Sequence, residues 1–170
     1  MDRESSLAEF DAQRDRLLKA FQSAPPESMA FRKEGDDYAL GGLAVHVNFI
    51  LDRYRRVFDR LVATSFGAFR AEDPPDEVAD MQARTRAGLQ PGEVAVELEA
   101  METRHRELAA AVRSLPSTDW ARKAQVVYDD GGKAYATGAE DLLKWLSEHY
   151  DEHVDQVGEL VREWRVSSGR

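Results

Sequence analysis

The chain has 170 residues, 42% hydrophobic and 32% charged, with 11 Gly, 6 Pro and no Cys, a composition that fits one ordinary globular domain over 1–170. Without cysteine the protein supplies no disulfide, no Cys-ligated zinc, no iron–sulfur cluster and no thiolate nucleophile of its own. Its 23 basic residues face 32 acidic ones, net -9, a field that repels phosphate backbones and anionic lipid and disfavours nucleic acid and membrane as partners. The acidic N-terminus has neither the basic start nor the apolar run of a signal peptide, and no stretch approaches the ~18 apolar residues of a membrane span. The expectation is a soluble, cytoplasmic protein.

Taken in chain order, Leu7, Phe10, Leu17, Leu18 and Phe21 recur at helical spacing, and Ser6 with Glu9 reads as a capping box, predicting a first helix over about 5–21 that ends before Pro25-Pro26. Leu40, Leu43, Val47, Ile50, Leu51, Tyr54, Val57, Phe58 and Leu61 draw a long stripe that predicts a second helix ending near Phe66. Residues 71–88, with Pro74-Pro75 and many charges, read as a loop or short helical excursion. Pro91 suits the first turn of a third helix with Val94, Leu98, Met101, His105, Leu108 and Val112 on one face, closed by Pro116.

Beyond Trp120 the period shortens, and Ala124–Tyr128, Asp-Asp-Gly-Gly and Lys133–Thr137 read as two strands around a turn. Thr137 with Glu140 reads as a second capping box, opening a last helix with Leu142, Leu143, Leu146, His149, Tyr150, His153, Val157, Leu160 and Trp164. Four long amphipathic helices in so short a chain bury their stripes against each other, so the expected fold is all-α, a four-helix bundle with a short β-hairpin between helices three and four.

The four histidines, His46, His105, His149 and His153, all fall in predicted helices. His149 and His153 are four apart and lie on the inward stripe, close enough for two imidazoles to meet one metal ion. The same spacing also fits two core-edge histidines hydrogen-bonded to carboxylates. His46, on the margin of the second helix's stripe, is placed to point across at the pair, and three neutral imidazoles leave coordination positions open. His105 sits inward with Glu102 three residues earlier, the Glu-x-x-His spacing of di-iron bundles. The residues three before His149 and His153 are Leu146 and Tyr150, so the second such motif is absent and His105 reads as a hydrogen-bonded core or pocket residue, the alternative being one that supports the metal ligands or contacts substrate. Glu148, Asp151 and Glu152 read as a solvated helix face, as do Arg53, Arg55, Arg56 and Arg60, while Trp120, Trp145, Trp164 and Phe66 read as core.

The segments Tyr38-Ala-Leu-Gly-Gly-Leu-Ala-Val-His46, Ser114-Leu-Pro-Ser-Thr-Asp-Trp120 and Asp141-Leu-Leu-Lys-Trp-Leu-Ser-Glu-His149-Tyr-Asp-Glu-His153 together resemble the DinB/YfiT-like superfamily of metal-binding bacterial four-helix bundles. The resemblance covers essentially the whole chain. It implies a divalent-metal triad of His46, His149 and His153, and a small-molecule substrate. Three histidines suit zinc or nickel best, with iron, copper or manganese also compatible. Some members of the superfamily use low-molecular-weight thiols such as bacillithiol or mycothiol, so the resemblance implies a metal-dependent enzyme of thiol S-transferase type. The alternatives are a non-catalytic metal or small-ligand binding bundle and a metal-dependent hydrolase or isomerase. No residue beyond the triad is assigned a catalytic role, and the long stripes permit a homodimer without requiring one.

Overall fold

The computed structural model describes residues 2–128 and 132–169. Its order is α1 (Arg3–Ser23), a single 3-10 turn, α2 (Gly42–Ala63), β1 (Phe69–Arg70), α3 (Pro75–Ala87), α4 (Pro91–Ser114), a second 3-10 turn, β2 (Ala124–Val127), β3 (Ala134–Thr137) and α5 (Ala139–Ser167). Helices α1, α5, α2 and α4 form a closed ring of packed pairs, α1 against α5, α5 against α2, α2 against α4 and α4 against α1. This is the expected all-α bundle, with α3 packed as an additional helix on the outside of α2. None of these helices is long and apolar enough to cross a membrane.

The core is built from the stripes read above. Leu7, Phe10, Leu17 and Phe21 of α1, Leu43, Val47, Leu51 and Leu61 of α2, Met101, Leu108 and Val112 of α4, and Leu142, Leu143, Leu146 and Leu160 of α5 are all buried. Polar ties cross the α2–α4 seam: the Asn48 amide donates to the Glu97 carbonyl at 3.0 Å and to Glu97 Oε2 at 2.8 Å, and Arg104 Nε donates to Asp52 Oδ2 at 2.8 Å.

The hairpin is present, and it is larger than expected. β2 pairs antiparallel with β3 through Ala124↔Thr137 and Val126↔Tyr135, while β1 lies parallel to β2 with Phe69 opposite Val126, giving a sheet of order β1-β2-β3. A third strand relieves the marginality of an isolated hairpin. The Asp129-Asp130-Gly131 part of the expected turn lies outside the described residues.

Two helix starts differ from the sequence reading. α1 begins at Arg3 because Asp2 is the cap, accepting from Ser5 N at 2.9 Å and from Ser5 Oγ at 2.8 Å; Ser6 and Glu9 are already inside the helix. α5 is capped one residue later than expected, at Gly138, whose N–H donates to Asp141 Oδ2 at 2.8 Å. Thr137 cannot serve as that cap because it is held in β3 opposite Ala124. The Pro74-Pro75 pair starts α3 instead of breaking a helix, Pro74 as cap and Pro75 at the first helical position, where no N–H is needed.

Candidate metal centre

The segment that leads into α2 is held by main-chain bonds. Leu40 N donates to Phe31 O at 2.8 Å, Gly41 N to Met29 O at 2.8 Å, and Ala39 N to Thr85 O at 2.9 Å. Gly42 lies so close to α3 that an added Cβ would stand 2.0 Å from Thr85 O. His46, one turn further on, is therefore placed by backbone packing on one side and by the buried stripe of α2 on the other. Across the bundle, His149 and His153 project from successive turns of α5.

These three histidines converge. One ring nitrogen from each lies within 4.8 Å of the other two, and His149 Nε2 stands 3.1 Å from His153 Nε2. Ring centroids are 5.0 Å apart for His46 and His149, and 5.3 Å for His46 and His153. His153 is buried, and His46 and His149 are half-buried. Among the described residues no fourth histidine, aspartate or glutamate joins the group.

All three imidazoles are held neutral. Burial pushes His46 down to about 4 and His149 to about 3, and in each the repulsion that a protonated His153 would exert lowers it further. His153 is lowered by burial, against the opposing pull of its Gln156 hydrogen bond. Neutral imidazole is the form that ligates.

The hydrogen bonding also fits a cation. His153 Nδ1 is 2.8 Å from Gln156 Oε1, and since a carboxamide oxygen only accepts, Nδ1 carries the proton and Nε2 presents its lone pair to the cluster. His149 Nε2 faces that same lone pair, while the buried His46 Nδ1 has no hydrogen-bond partner. A divalent ion among the three rings would replace the His149–His153 hydrogen bond and satisfy the orphaned His46 Nδ1. Tyr38 packs edge-on against His46 with centroids 5.1 Å apart, and lies 6.4 Å from His153. Its phenol is raised above the ordinary value by burial and by the neighbouring Asp37 charge.

Gln156 and Tyr38 are the site neighbours that sequence reasoning missed. Gln156 was findable in principle, three residues after His153 on the same helix. Replacing it with leucine removes the partner that orients His153, and metal affinity is expected to fall by roughly 10–100-fold, read by competition with a chromogenic chelator. An unchanged affinity would show that the ring is oriented by packing alone.

His105 does not join the triad. Fully buried, it stacks on Phe10 with centroids 3.8 Å apart and bridges Asp11 and Tyr150. Nε2–H donates to Asp11 Oδ1 at 2.7 Å, and Nδ1 accepts from the Tyr150 hydroxyl at 3.1 Å. This is the hydrogen-bonded core histidine expected from the sequence, with Glu102 exposed to solvent. Burial lowers its pKa to about 4, the Asp11 hydrogen bond opposing.

A histidine proton-binding constant lower in the folded than in the unfolded chain contributes stability that is complete above pH ~6.5 and lost as pH falls towards the folded value. His105 is thus expected to cost the protein about 3 kcal/mol between pH ~6.5 and ~4. Urea midpoints at both ends of that window, for wild type and His105→Leu, test this. An identical pH-dependent loss in the variant would contradict it, and metal content should be the same in both.

Glu148, Asp151 and Glu152 are exposed as expected. Arg53 is a correction: its side chain is only 25% exposed, with Nε 3.1 Å from Asp73 Oδ2 and the guanidinium 5.6 Å from the Tyr128 ring centroid. It turns inward because β1 and the following segment bring Asp73 over α2. Trp145 packs against the core, as expected, but also walls an open cleft with Arg53, Tyr54, Tyr128 and Tyr135.

The sequence matches the family model described as the DinB superfamily over residues 9–157. A search of curated proteins returned no match.

Proposed function

The chain belongs to the DinB superfamily, a metal-binding family, and from that premise we propose that His46, His149 and His153 are the ligands of one divalent transition metal in a metal-dependent enzyme. The observation that carries this reading is the convergence of three neutral imidazoles, with no protein carboxylate joining the group among the described residues. Such a donor set leaves positions for substrate, as catalytic and not structural sites do, and zinc or nickel suits it best. When bound, the ion supplies a Lewis acid of undiminished charge that makes a coordinating thiol or water lose its proton more readily.

The chain's own residues have four tasks. His46 reaches from α2, and His149 and His153 from α5, so the site bridges two helices and depends on their packing. Gln156 holds the proton on His153 Nδ1 and keeps Nε2 free. Tyr38 closes the side next to His46 and His153. The buried surroundings keep the imidazoles unprotonated.

With no cysteine in the chain, a sulfur nucleophile must come from outside, and transfer of a low-molecular-weight thiol to a small electrophile is the reaction that best uses this site. The test is cobalt substitution. Adding a low-molecular-weight thiol to the cobalt-loaded protein is expected to bring a sulfur-to-metal charge-transfer band, absent with the matching alcohol. A spectrum indifferent to several thiols would overturn the thiol part of the reading.

A further inference from the structure

One turn from His149 along α5 and about two turns from His46 along α2, the groove between these helices opens into a cleft of about 270 Å³ walled by Arg53, Tyr54, Tyr128, Tyr135 and Trp145. The two helices run antiparallel here. Trp145 precedes His149 by one turn, ~6 Å along the axis, while Tyr54 follows His46 by about two turns, ~12 Å. The Tyr54 and Trp145 rings are tilted 40° to each other with centroids 6.1 Å apart, and Tyr128 stands edge-on to both Trp145 and Tyr135 at 6.2 and 6.1 Å. Four aromatic rings from three separated parts of the chain thus converge beside the candidate metal centre, leaving an open space between them.

The charge around the cleft sets the sign of what enters. A cage of aromatic faces suits a cation, but these faces already carry cations. The Arg53 guanidinium lies 5.6 Å from the Tyr128 centroid and Lys133 Nζ 4.9 Å from that of Tyr135. Arg53 also has charge to share. Its ion-pair partner Asp73 is simultaneously held by Arg56, and whereas Arg56 has a second carboxylate in Glu77, Arg53 pairs with Asp73 through an Nε contact of 3.1 Å that makes no hydrogen bond among the described residues. The terminal nitrogens of its fork remain for a planar anion.

We propose that this cleft binds the substrate of the adjacent metal centre, and that the substrate is a small planar aromatic compound bearing one carboxylate. The ring lies among Tyr54, Trp145 and the hairpin tyrosines, the carboxylate meets Arg53, and the remaining substituents point along the groove towards His149. Arg53 is then the residue that selects for negative charge. This rests on the reading of the triad as a metal site.

The experiment titrates the protein with 4-fluorobenzoate, 4-fluorobenzamide and 4-fluorobenzylammonium, followed by fluorine NMR in zinc-loaded and cobalt-loaded samples. The benzoate is expected to saturate, with the amide and the cation at least about tenfold weaker. Arg53→Gln should bring the benzoate down to the level of the amide, whose own affinity stays unchanged, and Arg53→Lys should restore part of the preference. The bound fluorine line should broaden in the cobalt sample relative to the zinc sample.

Equal affinities for the three probes, no saturable binding, or an Arg53→Gln variant that still prefers benzoate would overturn the charge selection. Benzoate that binds without broadening beside a bound cobalt would overturn the link to the metal centre. A protein that binds benzoate selectively but takes up no cobalt would defeat the triad reading alone, the cleft's specificity still standing.

Discussion

His46→Ala is expected to lower the affinity for a divalent transition metal by more than about a hundredfold, because losing a ligand exceeds the 10–100-fold cost of losing an outer-shell partner. His46 is the single donor from α2, so its removal leaves two ligands on one helix with nothing opposite them. The effect on the metal-free protein should be small by comparison. The buried Nδ1 has no hydrogen-bond partner, a penalty of about 1–3 kcal/mol that the substitution removes, and this offsets packing lost against Tyr38. Chelator competition and urea unfolding of the metal-free variant measure the two effects separately. A variant that binds metal as tightly as wild type, or one that unfolds in proportion to its lost affinity, would show that His46 is a packing residue and not a ligand.

Gly42→Ala is expected to destabilise the protein by about 3 kcal/mol, at the upper end of the cost of overpacking. The added methyl would stand 2.0 Å from Thr85 O and 2.8 Å from Thr85 Cα. These are backbone atoms, so no rotamer change relieves the clash and α3 must move away from α2. His46 is one turn away, and the displacement should reach it as well, giving weaker metal binding in whatever fraction stays folded. Gly158→Ala is the control of opposite sign. That glycine is inside α5 with nothing within 4 Å of an added Cβ, so alanine should stabilise by about 0.5–1 kcal/mol through helix propensity. Thermal or urea unfolding of both variants decides the matter, and equal behaviour would mean that the close approach of α2 and α3 is not fixed.

Much of this architecture is legible in the sequence because burial leaves a period. The stripes of α1, α2, α4 and α5 are the core, and the four-residue spacing of His149 and His153 identifies their shared face without any structure. α3 leaves no such trace: Thr85 is its single buried residue, so there is no stripe to read, and its proline pair resembles a break. β1 spans two residues and exists through its pairing with β2, a contact between segments more than fifty positions apart. The cap of α5 falls at Gly138 instead of Thr137 because strand register, set by Ala124, overrides a local capping pattern.

The site divides along the same line. The histidine pair is a local feature of one helix, whereas the approach of His46 depends on how α2 packs against α5, and the resemblance to a known superfamily supplied what spacing alone left open. Arg53 reads as solvated from its place among alternating arginines; only the tertiary position of Asp73 and Tyr128 turns it inward. The cleft joins residues from α2, the hairpin and α5, and no pattern within any one of these segments reveals it.

The central claim is that the three histidines hold one metal ion, and metal content tests it most directly. Untagged protein purified without chelator, measured by inductively coupled plasma mass spectrometry beside the His149→Ala/His153→Ala variant, is expected to carry about one equivalent of a divalent transition metal that the variant lacks. Wild-type protein that holds no metal and takes up none from zinc, nickel, manganese or iron, or a variant that retains a full equivalent, would contradict the account.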